Sequence, residues 1–581
     1  MSPRPDSADS MLITGGKVLV MDGQTQPQPA VLVESGRVVA TGTAEQLRSR
    51  ASAACREVNV QGATVMPGLI DTHPHLLHFA AREHALVKLF DAQNHQDIVD
   101  RIRAKAKATP KGQWIVCSPV GEPHYFIRRS YLDLPERCLP NRHVLDLATQ
   151  DHPVHIQAWA PTTPNICSFN SAALYALGLS SFIPDTVCNV SIEKDDTGEL
   201  TGIMRGAVNN YYCFDPFWTQ LLLKMPGPNQ WELHDSVIEA MRDYNRQGVT
   251  TVYEGHNMRE EHVRAYAQLR QEQALSVRVM TAMDAETYAY PPFRPLSMPA
   301  FMANMQKGLA LMQTQDPMFR MTGMSFSPGA PMGPGTIRMY DPYQAPFGGT
   351  TQGPTFLSLE KQQAFVEFCA AHNLRANFVV AGYRDTDDVI QALKSINQRI
   401  DITDRHWMIQ HALIINEVQA RELHKLGCDF TTCIGFCWGK GDLYGARGGQ
   451  HLWRDLTPIK RLLNIGLKVG CGSDWGPKNP WEQIQLGQTH EFCGSGRRND
   501  TPDHKLTREE SLLTWTRDAA EVLGWSGIGT LESGNHADII VVDRDPMTCA
   551  TEALPGTKVL GTLLNGRCVQ DIAGLFSCID D

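Results

Sequence analysis

The sequence lacks the features that mark membrane, secreted and nucleic-acid-binding proteins. No apolar run approaches the roughly 18 residues that a transmembrane helix needs, and the opening MSPRPDSADS leads into no secretory hydrophobic region. The 53 basic and 63 acidic residues form no basic run that would suit a nucleic acid or an anionic membrane. We therefore expect a cytoplasmic protein with a small-molecule substrate and no nucleic-acid or membrane partner. A homodimer is one candidate oligomeric state.

Two structural classes are also excluded by what is missing. The 15 cysteines are scattered, and the pair Cys433 and Cys437 has no second pair at zinc-finger spacing. No repeat of roughly 20 to 50 residues is visible, which argues against solenoids and propellers. The 581 residues, 42% of them hydrophobic, are enough for one large domain and a smaller one.

The sequence does contain an alternation of helical and short apolar segments, such as SVIEAMRDYNRQGVTTVYEG and TPIKRLLNIGLKVGCGSD. This alternation predicts an α/β fold with a parallel sheet, and polar or glycine-rich clusters at the strand ends favour a (β/α)8 TIM barrel. We place the barrel at 67–530, with an insertion at 85–235. Alternating strands at 11–66 and 531–575 predict a small β-sandwich built from both chain ends.

Histidine and aspartate side chains follow three of the predicted barrel strands. His73 and His75 lie in DTHPH, where strand alternation would point both imidazoles to one side. His411 ends HWMIQH, and Asp474 follows VGCGS. Nitrogen and carboxylate ligands suit a divalent transition metal such as zinc, with iron, manganese and cobalt as alternatives. A metal with an open coordination position activates water for hydrolysis.

These motifs carry a resemblance to a known family. MPGLIDTHPHL, the strand-ending His411, GSDW and GTLESGNHADIIVVDRDP together resemble the amidohydrolase superfamily, in particular its family 3 branch, which includes N-substituted formamide deformylases. The resemblance covers nearly the whole chain and implies a distorted barrel with a composite β-sandwich. It implies His73, His75, His411 and Asp474 as metal ligands. It also implies that Asp474 shuttles the proton and that His411 contributes to catalysis, either as the fourth ligand or as a hydrogen-bond partner of the substrate.

The chain departs from that family's pattern at the second metal position. Relatives carry a bridging lysine on the fourth strand, where this chain has Ser325, and neither lysine nor histidine occurs from Gly308 to Glu360. The fifth-strand histidine is also missing, and Asn377 lies on the corresponding strand face. These departures predict one metal rather than two.

Other substrate-facing positions have changed as well. Asn165 stands where relatives tend to have a histidine, and Cys433 where a glutamine is usual. We take Asn165, Cys433, Asn377 and Ser325 as candidate substrate-binding residues, with local packing as the alternative for Asn165 and Cys433.

Two further groups of residues are candidates for the metal site or for the substrate pocket. Glu254 and His256, at the end of VTTVYEGH, are reserve ligands. His124, Tyr125 and Arg128 are candidates for lining a pocket, although such a mixed aromatic and basic stretch is more often a solvated loop.

The leading hypothesis is a metal-dependent hydrolase that cleaves a C–N bond of an amide, formamide or N-acyl compound. The altered second-metal positions keep open a metal-dependent lyase, hydratase or decarboxylase. A non-catalytic binding protein is the third alternative, because a barrel fold alone does not decide the reaction.

Overall fold

The computed structural model describes residues 10–81, 86–121, 128–158, 163–226, 233–289 and 292–576. The N-terminal part contains six strands: β1 (Ser10–Thr14), β2 (Lys17–Val18), β3 (Ala30–Glu34), β4 (Arg37–Gly42), β5 (Arg56–Asn59) and β6 (Thr64–Pro67). The middle strands are β7 (Leu69–Asp71), β8 (Ile115–Cys117), β9 (Val154–Ile156), β10 (Asn165–Phe169), β11 (Thr186–Val187), β12 (Val190–Lys194), β13 (Leu200–Gly206), β14 (Val249–Glu254), β15 (Arg278–Asp284), β16 (Phe319–Phe326), β17 (Tyr343–Gln344), β18 (Thr350–Thr351), β19 (Arg375–Val380), β20 (Met408–His411), β21 (Asp429–Thr432) and β22 (Val469–Cys471). The C-terminal strands are β23 (Ile539–Val542), β24 (Val559–Leu564) and β25 (Arg567–Asp571).

The helices are distributed along the whole chain. They are α1 (Ala44–Arg48), α2 (Leu76–Phe79), α3 (His95–Ala108), α4 (Arg142–Asp146), α5 (Ser171–Leu177), α6 (Pro216–Leu222), α7 (Leu233–Arg246), α8 (Glu260–Gln271), α9 (Met298–Ala310), α10 (Leu359–Ala371), α11 (Tyr383–Asn397), α12 (Glu417–Lys425), α13 (Gly435–Gly448), α14 (Ile459–Ile465), α15 (Pro480–Thr489), α16 (Arg508–Leu513) and α17 (Arg517–Leu523). Within the described residues, no helix is both long and apolar enough to cross a membrane.

Eight parallel strands form the predicted barrel. Their hydrogen-bonded order is β7, β14, β15, β16, β19, β20, β21, β22. The first and last strands are linked where the Thr72 N–H donates to the Cys471 carbonyl at 3.2 Å. Strands β14 and β15 are buried along their whole length, as expected where side chains fill the barrel on one face and pack on helices on the other. The α/β barrel predicted from the sequence is therefore confirmed.

The described residues form four smaller sheets besides the barrel, one of which is the two-stranded pair of β17 and β18. Strands β1, β3, β4 and β5 form a four-stranded sheet, and β2 and β6 join β23, β24 and β25 in a five-stranded sheet that contains both ends of the chain. The interior between them is aliphatic, with Ile13, Val31, Val65 and Val541 fully buried. A six-stranded sheet of β8 to β13 lies between the first two barrel strands in sequence and has hydrophobic clusters of its own.

One buried ion pair connects the barrel to the terminal sheets. Arg278, at the start of β15, donates from Nε and Nη2 to the two carboxylate oxygens of Asp538 at 2.7 and 3.0 Å. The two side chains are only 0% and 4% exposed. Removing one partner of a buried, doubly hydrogen-bonded pair leaves the other charge uncompensated.

We expect Arg278→Met to destabilise the protein by about 3 to 5 kcal/mol, because Asp538 would keep its charge without its partner. The measurement is the urea midpoint of unfolding followed by tryptophan fluorescence. Arg264→Met, which removes the exposed pair with Glu260, is the control and should cost less than about 1 kcal/mol. Equal shifts for the two variants would contradict a specific role for the buried pair.

Candidate metal centre

The four predicted ligands lie at the carboxyl end of the barrel, where active sites of this fold are found. His411 is the last residue of β20, while His73, His75 and Asp474 lie just beyond β7 and β22. The sequence predicted that strand alternation points the two histidines of DTHPH to one side. This is wrong, because β7 ends at Asp71 and both histidines lie beyond it. They converge through the turn that begins α2.

The imidazole nitrogens and the carboxylate meet at one point. His73 Nε2 lies 3.3 Å from His75 Nε2 and 3.2 Å from His411 Nε2. The Asp474 carboxylate lies 3.1 Å from His411 Nε2, and 3.6 Å from each of the other two Nε2 atoms. His73, His75 and Asp474 are almost completely buried.

Three of these four residues have a left-handed backbone. The φ angles are 52° at His75, 66° at His411 and 47° at Asp474. For residues other than glycine this conformation costs on the order of 1 kcal/mol each and is concentrated at functional sites. The barrel therefore holds these side chains in directions that a relaxed strand end would not give them.

Asp71 orients the two chain segments that carry the ligands. Its carboxylate accepts hydrogen bonds at 3.0 Å from the backbone N–H groups of both His73 and Ser473, and at 2.5 Å from the Ser473 hydroxyl. Gly472 allows this close approach, because a Cβ there would lie 2.5 Å from the His73 nitrogen. Asp71 belongs to the DTHPH motif, but the sequence alone does not predict this positioning role. In a sequence, a carboxylate that positions ligands cannot be distinguished from one that binds metal.

The electrostatics of the cluster fit a bound cation. Burial lowers the pKa of His73 to about 3 and that of His75 well below its ordinary value, so both imidazoles are neutral and offer lone pairs. Burial raises the pKa of Asp474, but His73, His411 and Lys440 outweigh this effect and leave the pKa below its ordinary value. An ionised carboxylate facing neutral imidazole nitrogens is a donor set that suits zinc.

A small cavity of about 30 Å³ adjoins the cluster. Its polar lining comprises His411, Asp474, Tyr212, His256 and Lys440, and its apolar lining includes Phe436 and Trp475. A volume of this size holds roughly two water molecules or a one-carbon acyl group. The aromatic side chains shield the cluster from solvent, since the Trp475 ring lies 5.1 Å from the His75 ring and the Phe436 ring 5.0 Å from the His411 ring.

His256 adjoins this cluster through its ring. Its ring centre lies 5.4 to 5.8 Å from those of His73, His75 and His411. Its Nε2 is 3.1 Å from the Tyr212 hydroxyl, and its Nδ1 is 3.2 Å from the Ser327 hydroxyl. Both ring nitrogens thus have hydroxyl partners, of which Tyr212 lines the cavity.

Glu254 lies on the other side of His75. One of its oxygens accepts hydrogen bonds from the Leu77 N–H at 2.9 Å and the Tyr266 hydroxyl at 2.8 Å. Together with His75 and His78 it forms a second buried set of donor atoms within 4.8 Å of one another. Burial raises the pKa of Glu254 to about 7.

The structure brings Asn377 and Ser325 together but places the other two candidate substrate-binding residues elsewhere. Asn377, on β19, donates to the Ser325 hydroxyl on β16 at 2.8 Å and to the Gly255 carbonyl at 2.6 Å. Both side chains are buried, on the fifth and fourth strands of the barrel. The Cys433 thiol is buried against the Ser473 carbonyl at 3.2 Å. Asn165 lines a separate cavity of about 330 Å³ in the insertion.

Of the proposed pocket-lining stretch, Arg128 forms an ion pair with Glu482 at 2.8 Å and lies over the Trp438 ring. His124 and Tyr125 fall outside the described residues.

Three histidines and an aspartate at the carboxyl ends of parallel strands are the arrangement of a metal-dependent barrel enzyme. The model of the amidohydrolase family matches residues 56–570, and the chain belongs to this family. The N-substituted formamide deformylase of Arthrobacter pascens is 24% identical over 580 residues, which cover 96% of this chain and 97% of the relative.

Solved structures share the fold. An uncharacterized metal-dependent hydrolase from Pyrococcus furiosus matches with a TM-score of 0.68 at 19% identity, covering 93% of this chain and 100% of its own. An adenosine deaminase from Xanthomonas campestris with bound zinc matches with a TM-score of 0.52 at 14% identity, covering 99% and 95%.

Proposed function

We propose that this protein is a metal-dependent hydrolase that removes a formyl group, or another small acyl group, from the nitrogen of an N-substituted amide. The observation that carries the proposal is the convergence of three imidazole Nε2 atoms and one carboxylate beside a cavity of about 30 Å³. The full-length similarity to a formamide deformylase supports the reaction class.

We propose a mononuclear zinc site held by His73, His75, His411 and Asp474. A divalent ion there would supply an activated water and polarise the substrate carbonyl. A single ion is favoured because Ser325 and Asn377, at the positions where relatives hold a second ion, are hydrogen-bonded to each other. Neutral hydroxyl and amide groups are poor replacements for a carboxylated lysine and an imidazole.

Asp474 is the residue that would move the proton. Its low pKa keeps it ionised before the reaction, so it can accept the proton that the attacking water loses. Once protonated, it can donate that proton to the leaving nitrogen, because water and leaving group meet beside the same carboxylate. Trp475 and Phe436 would exclude bulk water, which strengthens charge interactions in the cavity.

The direct test is to incubate the zinc-loaded protein with N-benzylformamide, N-benzylacetamide and N-benzylbenzamide in ¹⁸O-labelled water. We expect benzylamine release, fastest from the formamide because the cavity is small, and one ¹⁸O atom in the formate. Release of benzylamine without ¹⁸O in the acid would indicate a non-hydrolytic reaction. Equal rates for the three acyl groups would contradict the selection of a small acyl group.

A further inference from the structure

A second cavity lies in the insertion, apart from the candidate metal centre. Its volume is about 330 Å³, within the range of roughly 300 to 1,000 Å³ that is typical of small-molecule sites. Its described lining residues come from β9, β10 and β13, from the segment that follows β8, and from residues 130–132 and Leu139. None of these residues borders the cavity of about 30 Å³ beside the metal ligands. The insertion therefore contains a cavity of its own.

The walls of this second cavity are mainly apolar. Val120, Leu139 and Ile156 are buried, and Ile166 and Tyr131 are partly buried against the same hydrophobic cluster. An apolar group that enters the cavity would release water from these side chains, and an aromatic ring would also pack against Tyr131. The lining therefore favours a ligand with an apolar body of about the size of one ring.

A buried amide on this lining has an unsatisfied donor. Gln157 is only 4% exposed, and its Oε1 accepts a hydrogen bond from the Asn210 amide at 2.5 Å. Its Nε2 has no hydrogen-bond partner within the part of the chain that the structure describes. Because leaving a buried donor unsatisfied is costly, such a group indicates that an acceptor is missing. An oxygen atom of a ligand in this cavity would supply that acceptor.

The charge of the lining is positive. Among the described lining residues, Arg205 is the only charged one. Its Nη1 lies 3.5 Å from the Tyr131 hydroxyl, and its nearest carboxylate, that of Glu193, is 3.8 Å away and outside the lining. Both side chains of this ion pair are 46% exposed, so the pair holds the guanidinium only weakly. A guanidinium group in this situation is suited to two parallel hydrogen bonds with a carboxylate.

We propose that this cavity is a second ligand site, separate from the metal centre, which binds a small aromatic carboxylate. Arg205 binds the carboxylate, which has enough lone pairs to accept a hydrogen bond from Gln157 Nε2 as well. The apolar walls hold the ring. Asn165, which the sequence made a candidate for substrate binding, lines this second site and not the metal cavity. The proposal is independent of the hydrolase function, because no group of the metal centre takes part in it.

The test is calorimetric binding to the full-length, zinc-loaded protein. The probe is 3-phenylpropionate, and 3-phenyl-1-propanol is the neutral comparison. We expect one saturable site for the acid and at least about 10-fold weaker binding of the alcohol, since the alcohol lacks the charge that Arg205 recognises. Arg205→Met should weaken binding of the acid by about 10- to 100-fold, the effect expected for charge-assisted hydrogen bonds, and should leave binding of the alcohol unaltered.

Two further variants make this test specific. Gln157→Glu keeps an oxygen for Asn210 but removes the donor, and it should weaken binding of the acid at least 10-fold. Arg103→Met, which removes a comparably exposed arginine of the same insertion, should retain the wild-type affinity. The urea midpoint of unfolding should be the same for Arg205→Met as for the wild type, because Arg205 is half-exposed.

A bound zinc ion also attracts carboxylates, so the titration is repeated with acetohydroxamate present at a concentration that saturates the zinc. The affinity for 3-phenylpropionate should not change. Loss of binding would place the carboxylate on the metal and would overturn the proposal. The proposal is also wrong if the acid shows no saturable binding, if acid and alcohol bind equally well, or if Arg205→Met and Arg103→Met have equal effects.

Discussion

Replacing Asp474 by asparagine should lower kcat for formamide hydrolysis by about 10⁴-fold, since a single group would lose both its general-base and its general-acid role. Asparagine keeps the shape of the side chain and one oxygen that can face the other ligands, but it cannot accept a proton at neutral pH. We therefore expect most of the zinc to remain bound. The measurement is steady-state kinetics together with metal content of the same sample.

The control for this prediction is a buried aspartate at the opposite end of the barrel. Asp429 begins β21, 5% exposed, and faces Arg375 and His406. Asp429→Asn should leave kcat essentially unaltered, because the chemistry lies at the carboxyl ends of the strands. A value for Asp474→Asn within 10-fold of wild type would mean that another group, with His256 the nearest candidate, moves the proton.

Replacing His73 by alanine should abolish stoichiometric metal binding. The protein purified without added metal or chelator should contain about one equivalent of zinc, and losing one of four ligands should weaken zinc affinity by roughly 100-fold or more. Activity should fall with metal content, and dialysis of the wild type against a chelator should reproduce the loss. Elemental analysis of both proteins is the measurement that we would make first.

His372→Ala provides the matched control, because this exposed histidine precedes β19 at the far end of the barrel. It should retain full metal content. Two equivalents in the wild type would contradict the mononuclear proposal and would point to the second donor set of His75, His78 and Glu254. Metal that survives in His73→Ala would show that the ion lies elsewhere.

The barrel could be predicted from the sequence because its strands are short apolar segments that end in polar clusters. Three of those clusters contained the histidine and aspartate candidates, and parallel strands bring such ends to one edge of the barrel. The sequence could not show the way in which the side chains converge. Strand alternation explains DTHPH poorly, since His75 adopts a left-handed conformation in a turn.

The rest of the cavity escaped prediction for a physical reason. Lys440 and Tyr212 come from segments with no motif, and only the tertiary fold places them beside His411. Of the candidate substrate residues, Ser325 and Asn377 are hydrogen-bonded to each other inside the barrel, whereas Asn165 lines a separate cavity in the insertion. The sequence predicts which strands carry these residues, but it does not predict their hydrogen-bond partners.

Strand β6 cannot pair along both of its edges until β23, near the C-terminal end of the sequence, has been synthesised. Val65 lies opposite Val541, so an edge of β6 stays unpaired until almost the whole chain has left the ribosome. Such an edge can pair with other chains, and contacts between distant segments form slowly. Because β6 runs directly into β7 and the DTHPH turn, the segment before two of the candidate ligands gains its last sheet partner only when β23 has been synthesised, although β7 itself already pairs with β14. We therefore expect this five-stranded sheet to be completed late, with the β6 edge open to pairing with other chains until β23 is available.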